Sequence, residues 1–168
     1  MKEHIVHPIP PFYDKNSKIL ILGSFPSVKS REQMFFYGHP QNRFWKVMAA
    51  VFGDEAAVTI SEKKEFLKKR HIALWDVIGS CDIEGSSDSS IENVVANDIS
   101  KIVDAADIRG IFVNGKTAEK YYKRFIEPET GIEAICLPSS SPANAAWNVN
   151  KQVLNWSGAI GSVLGRNG

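Results

Sequence analysis

Three segments of the chain carry residue types that suit recognition of a nucleic-acid base and its phosphates. They are residues 23–42, 79–90 and 138–144, and each follows an apolar run typical of a buried strand. The first places aromatic side chains among basic ones, which suits stacking of a base beside a contacted phosphate backbone. The third is rich in Ser, Pro and Asn and precedes the last predicted helix, whose N-terminus suits a phosphate group. Because the carboxyl ends of parallel strands form one edge of a sheet, we expect the three segments to line one crevice.

A basic stretch, residues 15–46, surrounds the first segment, which also holds the best candidate for stacking. The 20 Lys and Arg and 19 Asp and Glu residues give a net charge of +1, whereas residues 15–46 hold six basic residues and one acidic residue. This segment suits a phosphate backbone, although a solvated basic face explains the charge equally well. Phe35 and Phe36 fit a hydrophobic core better than a binding surface, and Tyr37 is the aromatic residue we expect to contact a ligand.

Signatures of several other protein classes are absent. The sequence has no Gly-x-Gly-x-x-Gly, no phosphate-binding Gly-Lys-Ser/Thr loop and no Gly-x-Ser-x-Gly, which argues against dinucleotide and nucleoside-triphosphate enzymes. His39 lacks a second histidine at metal-ligand spacing, and Cys81 and Cys136 cannot supply the four ligands of a structural zinc or an iron–sulfur cluster. We therefore expect no metal and no cofactor. With no apolar run of about 18 residues and no signal peptide, we expect a cytoplasmic protein without membrane contact.

The order of predicted elements is that of an α/β protein with one domain over residues 1–168 and a core from about 18 to 164. Strands are predicted over residues 18–23, 72–78, 110–113 and 132–137. Helices are predicted over 43–52, from Ser61, over 91–106, over 117–125 and along the apolar stripe of 149–163, with loops at 28–41 and 79–90. Alternation of strands and helices predicts a three-layer α/β/α sandwich around a short, mainly parallel four-stranded sheet.

Three motifs resemble those of the uracil-DNA glycosylase superfamily. They are Gly23-Ser-Phe-Pro-Ser27, Tyr37-Gly-His-Pro-Gln-Asn-Arg-Phe-Trp45 and Leu137-Pro-Ser-Ser-Ser-Pro-Ala-Asn144. The sequence is most similar to the hypoxanthine-DNA (deoxyinosine) glycosylase branch, and next to the mismatch-specific uracil/thymine glycosylases. The resemblance implies a monofunctional base-excision repair enzyme. Such an enzyme flips a deaminated base, most naturally hypoxanthine, out of double-stranded DNA and hydrolyses its N-glycosidic bond.

The resemblance also implies roles for individual residues. In the mismatch-specific relatives an Asn of the first motif positions the attacking water, whereas this chain has Phe25 there, so the role passes to Asn42 with Gln41 as second candidate. An alternative reading of Asn42 is a cap of the helix that follows it. The residues expected to bind the flipped base are Tyr37, Phe25 and Ser139. The residues expected to contact DNA are Ser24, Ser27, Lys29, Arg31, Ser140, Ser141, Pro142 and Asn144.

Other functions remain open on the sequence alone. The absence of the usual water-placing Asn is compatible with a catalytically weak protein of the same fold that binds damaged DNA. A uracil/thymine mismatch glycosylase is a further alternative, and a nucleotide-binding sandwich is disfavoured by the missing phosphate loop. In each DNA-directed case we expect a monomer whose partner is a duplex containing a deaminated base.

Overall fold

The computed structural model describes residues 1–165, which form seven β-strands and seven α-helices. The strands are β1 (Glu3–Val6), β2 (Ile19–Gly23), β3 (Ile72–Asp76), β4 (Ile78–Ile83), β5 (Glu92–Ala96), β6 (Gly110–Asn114) and β7 (Ala134–Leu137). The helices are α1 (Val28–Gln33), α2 (Phe44–Phe52), α3 (Ile60–Arg70), α4 (Ser100–Ala105), α5 (Lys116–Tyr121), α6 (Glu127–Thr130) and α7 (Val149–Leu164). A π-helical turn, Tyr122–Ile126, joins α5 to α6.

The central sheet is parallel and has the strand order β3-β2-β6-β7. Every residue of β2 and β3 is buried, as their continuous apolar runs require when helices cover both faces of a sheet. The predicted fold class is therefore confirmed, and the four predicted strands are neighbours, with bounds that differ by one or two residues. All four carboxyl ends lie at one edge of the sheet, which is where a ligand crevice is expected.

A second sheet was not predicted and corrects two expectations. It is antiparallel, with the order β1-β4-β5. The expected loop 79–90 begins instead with most of β4, in which Ile78, Cys81 and Ile83 are buried, and only the remainder is irregular apart from a short 3-10 turn at Asp88–Ser90. The expected helix 91–106 contains β5 and only a short helix, α4, because β4 offers the first half a pairing partner.

The helices that precede and follow the site are well defined locally. The loop predicted over 28–41 contains α1, which Ser27 caps by accepting a hydrogen bond from the Ser30 amide at 3.1 Å. Thr59, rather than the predicted Ser61, caps α3 through a capping box with Glu62. Helices α2 and α7 pack together, with the rings of Phe44 and Trp156 5.8 Å apart. This contact holds the segments on either side of the crevice at a fixed separation.

Candidate active site

A cavity of about 510 Å³ opens at the carboxyl edge of the central sheet. The segments that follow β2, β4 and β7 contribute to it, as the sequence predicted for the three crevice loops, and the last residues of β3 and β6, Asp76 and Asn114, complete it. Its lining residues are Gly23, Ser24, Phe25, Pro26, Ser27, Ser30, Phe36, Tyr37, His39, Asn42, Asp76, Ser86, Ser87, Asp88, Ser89, Asn114, Ser139, Ser140, Ser141, Pro142 and Ala143. The volume lies in the range of small-ligand sites.

Tyr37 forms one wall of the cavity. Its ring stacks on Phe44 with centroids 4.0 Å apart and planes 14° from parallel, so the opposite ring face is the one left for a ligand. The residue has a positive φ of 53°, a conformation that costs a non-glycine residue energy and is typical of functional sites. Burial and the neighbouring Asp76 carboxylate raise the pKa of the Tyr37 hydroxyl far above its usual range, so it stays protonated.

Three side chains form a chain of hydrogen bonds across the cavity. The Asn114 Nδ2 donates to Ser140 Oγ at 3.0 Å, and Ser140 Oγ donates to Asn42 Oδ1 at 2.8 Å. The Ser140 amide donates to Asn114 Oδ1 at 3.0 Å, and the Phe44 amide donates to Asn42 Oδ1 at 2.9 Å. Because backbone N–H groups can only donate, both side-chain amides have one possible orientation.

This network determines what Asn42 can offer to a ligand. Its Oδ1 already accepts two hydrogen bonds, while its Nδ2 makes none within residues 1–165. The group that Asn42 presents to the cavity is therefore a donor. Ser140, which the sequence assigned to DNA contact, is 1% exposed and its hydroxyl is shared between the two asparagines.

Gly23, the last residue of β2, lies at the floor of the cavity. Asp76 of the neighbouring β3 accepts a 2.7 Å hydrogen bond on Oδ2 from Nε2 of His7, a residue that follows β1. A Cβ on Gly23 would lie 2.5 Å from Asp76 Oδ1 and 3.0 Å from the Tyr37 hydroxyl. Only glycine leaves room for both groups at this position.

The residues predicted for DNA contact fall into two groups around the rim. Ser24 and Ser27 line the cavity, and Ser24 donates to Asp88 Oδ1 at 3.3 Å. Lys29 is exposed on α1. Arg31 donates to the carbonyl oxygens of Pro26 and Gly85, so its guanidinium ties the two sides of the rim together.

The second group is the loop between β7 and α7, which is held from within. Ser139 lines the cavity, and its carbonyl accepts hydrogen bonds from Asn144 Nδ2 at 3.0 Å and from Gln152 Nε2 at 2.6 Å. Arg43 donates to the carbonyl oxygens of Asn144 and Trp147. These bonds leave Ser141, Pro142 and Ala143 at the rim of the cavity, with Pro142 and Ala143 exposed.

The structure places one predicted catalytic residue outside the cavity and brings residues with no predicted role into it. Gln41 is exposed and does not line the cavity, whereas its neighbour His39 does. Asn114 and the His7–Asp76 pair were not assigned a role, although a polar residue at the end of a buried strand was a usable signal for Asn114 and Asp76. Phe25 lines the cavity, with Arg31 over one face of its ring and the His7 ring perpendicular to it at 5.7 Å between centroids.

Within residues 1–165, no three His, Cys, Asp or Glu side chains converge as a metal site. Over the same residues, no helix combines the length and apolar character needed to cross a membrane.

The comparison with known proteins agrees with this geometry. A family model described as the uracil DNA glycosylase superfamily matches residues 10–156. The chain belongs to this superfamily. A curated superfamily relative from Methanosarcina acetivorans, named hypoxanthine DNA glycosylase, is 38% identical over 148 residues, which cover 85% of this chain and 90% of the relative. A protein of the same name from Methanosarcina barkeri is 36% identical over 137 residues, covering 80% and 85%.

A solved structure extends the likeness to the fold. The solution NMR structure of a Methanosarcina acetivorans protein, assigned as a uracil DNA glycosylase, superimposes with a TM-score of 0.78 at 34% identity. The match covers 92% of this chain and 96% of that protein. The resemblance expected from the three sequence motifs is thus confirmed at the level of the superfamily.

Proposed function

We propose that this chain is a monofunctional DNA glycosylase that removes hypoxanthine from deoxyinosine in double-stranded DNA. The two Methanosarcina relatives are named hypoxanthine DNA glycosylase, and the matches cover at least 80% of this chain. The observation on the chain itself that carries the proposal is the cavity, where an aromatic stacking face and the fixed amides of Asn42 and Asn114 converge.

Binding requires the target nucleotide to leave the duplex. A base within the helix cannot reach a cavity, so the nucleotide rotates out of the stack, at a cost of a few kcal/mol that is lower for a mispaired base. Tyr37, supported by Phe44, offers the flipped base a stacking face. Pro142 and Ala143 are exposed at the rim, and we expect them to enter the gap left in the duplex.

The chemical step depends on stabilising the departing base. Cleavage of the N-glycosidic bond develops positive charge on the sugar and negative charge on the purine, and fixed donors aimed at the purine lower this barrier. The free Nδ2 of Asn42 is such a donor. Phe25 cannot place a water molecule, so we expect water to attack the sugar without strong base assistance after the base has largely departed.

The reaction is expected to stop at an abasic site. Glycosylases that also cleave the strand use an amine nucleophile that forms a Schiff base with the sugar. No lysine is among the cavity-lining residues in the part of the chain described, 1–165. We therefore expect the strand to stay intact until alkali is added, and we expect a monomer because one chain supplies all the groups invoked.

The proposal predicts a measurable salt dependence at the rim. Lys29 is exposed on α1, next to the cavity. A lysine that contacts a DNA phosphate releases about one counterion, so the binding affinity falls more steeply as the salt concentration rises. Lys29→Ala is expected to reduce the slope of log Kd against log salt by about one, with little change in the single-turnover rate. The matched control is Lys68→Ala, an exposed lysine near the end of α3 at the opposite edge of the sheet. An equal slope for both variants and the unaltered protein would show that Lys29 makes no phosphate contact.

A panel of duplexes tests the activity itself. Each 30-base-pair duplex carries one deoxyinosine, deoxyuridine, deoxyxanthosine or mismatched thymidine, and abasic sites are revealed by alkali after single-turnover incubation. Deoxyinosine is expected to react fastest. If uracil or thymine is released fastest, that base and not hypoxanthine is the preferred substrate. If the protein binds the damaged duplexes tightly but cleaves none of them, it is a binding protein and not a glycosylase.

A further inference from the structure

The start of the loop between β7 and α7 is held by several groups outside the loop. Gln152 of α7 donates to the Ser139 carbonyl at 2.6 Å. Trp156, one turn further along the same helix, donates to the Pro138 carbonyl at 3.1 Å. At the next residue, Ser140, the amide, the carbonyl and the hydroxyl group all make hydrogen bonds to residues outside the loop. The position of the start of the loop therefore does not depend on any single contact.

The rest of the loop depends on one side chain. Nη1 of Arg43 donates to the carbonyl oxygen of Asn144 at 3.4 Å and to that of Trp147 at 2.5 Å. In the described part of the chain, 1–165, this guanidinium is the only group outside the loop that hydrogen-bonds to residues 141–147. The other hydrogen bonds of these residues stay within the loop. The exposed tip of the loop is therefore held in place through Arg43.

Arg43 is itself set on a rigid part of the fold. It is the N-cap residue of α2, and its amide donates to the Ser140 carbonyl at 3.0 Å. Helix α2 packs against α7, the helix that follows the loop, through Phe44 and Trp156. A charged donor makes stronger hydrogen bonds to carbonyl oxygens than a neutral donor does. The guanidinium thus links the end of the loop firmly to the start of α2.

We propose that Arg43 is a positioning residue that braces this loop when its tip, Pro142 and Ala143, enters the duplex. The inference rests on the proposed glycosylase function. Entry of the tip requires a base step to unstack, which the duplex resists. A loop held only at its start would bend away from the duplex, whereas a loop held at both ends keeps its tip in the gap. Arg43 thereby favours the flipped state of the target nucleotide without touching the base.

This role predicts an effect that depends on the state of the DNA. A paired base must leave the stack, whereas a base in a single strand is already free to enter the cavity. Asn42 keeps its hydrogen bonds to Phe44 and Ser140 without the guanidinium, so the group assigned to the chemistry stays in place. Loss of the Arg43 side-chain bonds should therefore slow the cleavage of duplex DNA and spare the cleavage of a single strand.

The experiment compares one deoxyinosine oligonucleotide, as a single strand and as a 30-base-pair duplex, in the unaltered protein and in Arg43→Met. Methionine keeps an unbranched apolar side chain but has no donor for the two carbonyl oxygens. Arg43→Met is expected to lower the single-turnover rate on the duplex by about 100-fold and the rate on the single strand by less than about threefold. A 2-aminopurine base beside the deoxyinosine reports unstacking, and its fluorescence rise on binding is expected to shrink in the variant.

Arg70→Met is the matched control. Arg70 also donates to a backbone carbonyl, that of Phe52 at 3.4 Å, but it lies at the end of α3 and does not line the cavity. It pairs with Asp54 as well, so its replacement removes at least as many contacts. The ratio of the duplex rate to the single-strand rate is expected to stay as in the unaltered protein. Thermal melting of both variants shows whether they are folded.

Three outcomes would overturn the inference. Equal slowing of the two substrates by Arg43→Met would assign Arg43 to the chemistry or to the fold of the site. An unchanged rate on the duplex would show that the loop needs no brace. A slope of log Kd against log salt that falls by about one would show that the guanidinium binds a DNA phosphate instead.

Other measurements decide where the main comparison fails. If the unaltered protein does not cleave a single strand, the 2-aminopurine signal decides, and equal signals for the unaltered protein and Arg43→Met contradict the proposal. If Arg43→Met does not fold, Arg43→Lys replaces it, and the duplex rate is again expected to fall more than the single-strand rate. Failure of the unaltered protein to release any base in the panel would instead refute the proposed function, and this inference with it.

Discussion

Replacement of Asn42 by Ala is expected to slow hypoxanthine release by about 100-fold or more in single-turnover assays. The variant loses the Nδ2 donor that faces the cavity, so negative charge on the departing purine is no longer stabilised. It also loses the acceptor for the Phe44 amide and for Ser140 Oγ, which should cost about 1–2 kcal/mol of unfolding free energy. The rate, the melting temperature and the Kd for a deoxyinosine duplex are the three measurements.

Asn42→Asp separates two mechanisms for this residue. From the sequence, a role of the amide oxygen in placing water predicts that Asp retains part of the activity. In the structure that oxygen is occupied, and an Asp would keep both hydrogen bonds while turning a negative oxygen towards the departing base. We therefore expect Asn42→Asp to be stable but as inactive as Asn42→Ala. Activity of the Asp variant within tenfold of the unaltered protein would instead restore the water-placing role.

A loss of stability in Asn42→Ala must be distinguished from a loss of catalytic rate. Thr59→Ala is the matched control, because Thr59 caps α3 by accepting from the Glu62 amide at 3.1 Å and does not line the cavity. This variant is expected to lose about 1 kcal/mol of stability with its rate unchanged. The expected cap role of Asn42 is not what the structure shows, because Arg43 is the N-cap of α2 and Asn42 instead accepts from the Phe44 amide and Ser140 Oγ. If Asn42→Ala also retains its rate, these two hydrogen bonds serve only the fold and the proposed mechanism is wrong.

The central sheet was predictable because its strands are continuous apolar runs that end in polar or glycine residues. Such runs occur where both faces of a strand are covered by helices, so local sequence and tertiary environment specify the same structure. The run 110–113 is an example, with Ile111, Phe112 and Val113 all buried. The carboxyl edge of the sheet, and so the position of the cavity, followed from the direction of the strands alone.

The antiparallel sheet was not predictable by the same reasoning. Ile91, Val95, Ile99 and Ile102 recur at helical spacing, which favoured a single helix over 91–106. The first part of that segment pairs instead with β4, whose own partner β1 comes from the N-terminus. The sheet that β5 joins depends on the pairing of β1 with β4, two segments about 80 residues apart in the sequence, which leaves no local signal, so tertiary contacts override the helical periodicity of 91–106.

The side-chain contacts of the site were also only partly predictable from the sequence. The sequence indicated Tyr37, Asn42 and the serine loop because they lie in recognisable motifs at strand ends. It gave no means of pairing His7 with Asp76, which are separated by 69 positions, or of orienting the Asn42 amide. Both features depend on which backbone N–H groups the fold brings to the side chains, and they decide whether a residue offers a donor or an acceptor.

Gly23→Ala is expected to reduce hypoxanthine release by about 1000-fold with a modest loss of stability, because overpacking of a single methyl group costs about 1–3 kcal/mol. The new Cβ would lie 2.5 Å from Asp76 Oδ1 and 3.0 Å from the Tyr37 hydroxyl. Asp76 cannot yield easily because His7 holds its other oxygen, and Tyr37 is stacked against Phe44. The methyl group must therefore displace both side chains into the space that the base would occupy.

Gly110→Ala is the control that makes this prediction specific. Its Cβ would lie 2.8 Å from Val163 Cγ1, a comparable clash, but Gly110 begins β6 at the edge of the sheet opposite the cavity. Val163 is a partly buried side chain in the last turn of α7 and does not line the cavity, so this variant should release hypoxanthine at nearly the unaltered rate. The two variants should then differ in rate by about two to three orders of magnitude at similar melting temperatures. Equal rates would mean that the base does not approach Gly23, and its binding position would have to be sought nearer the serine-rich rim.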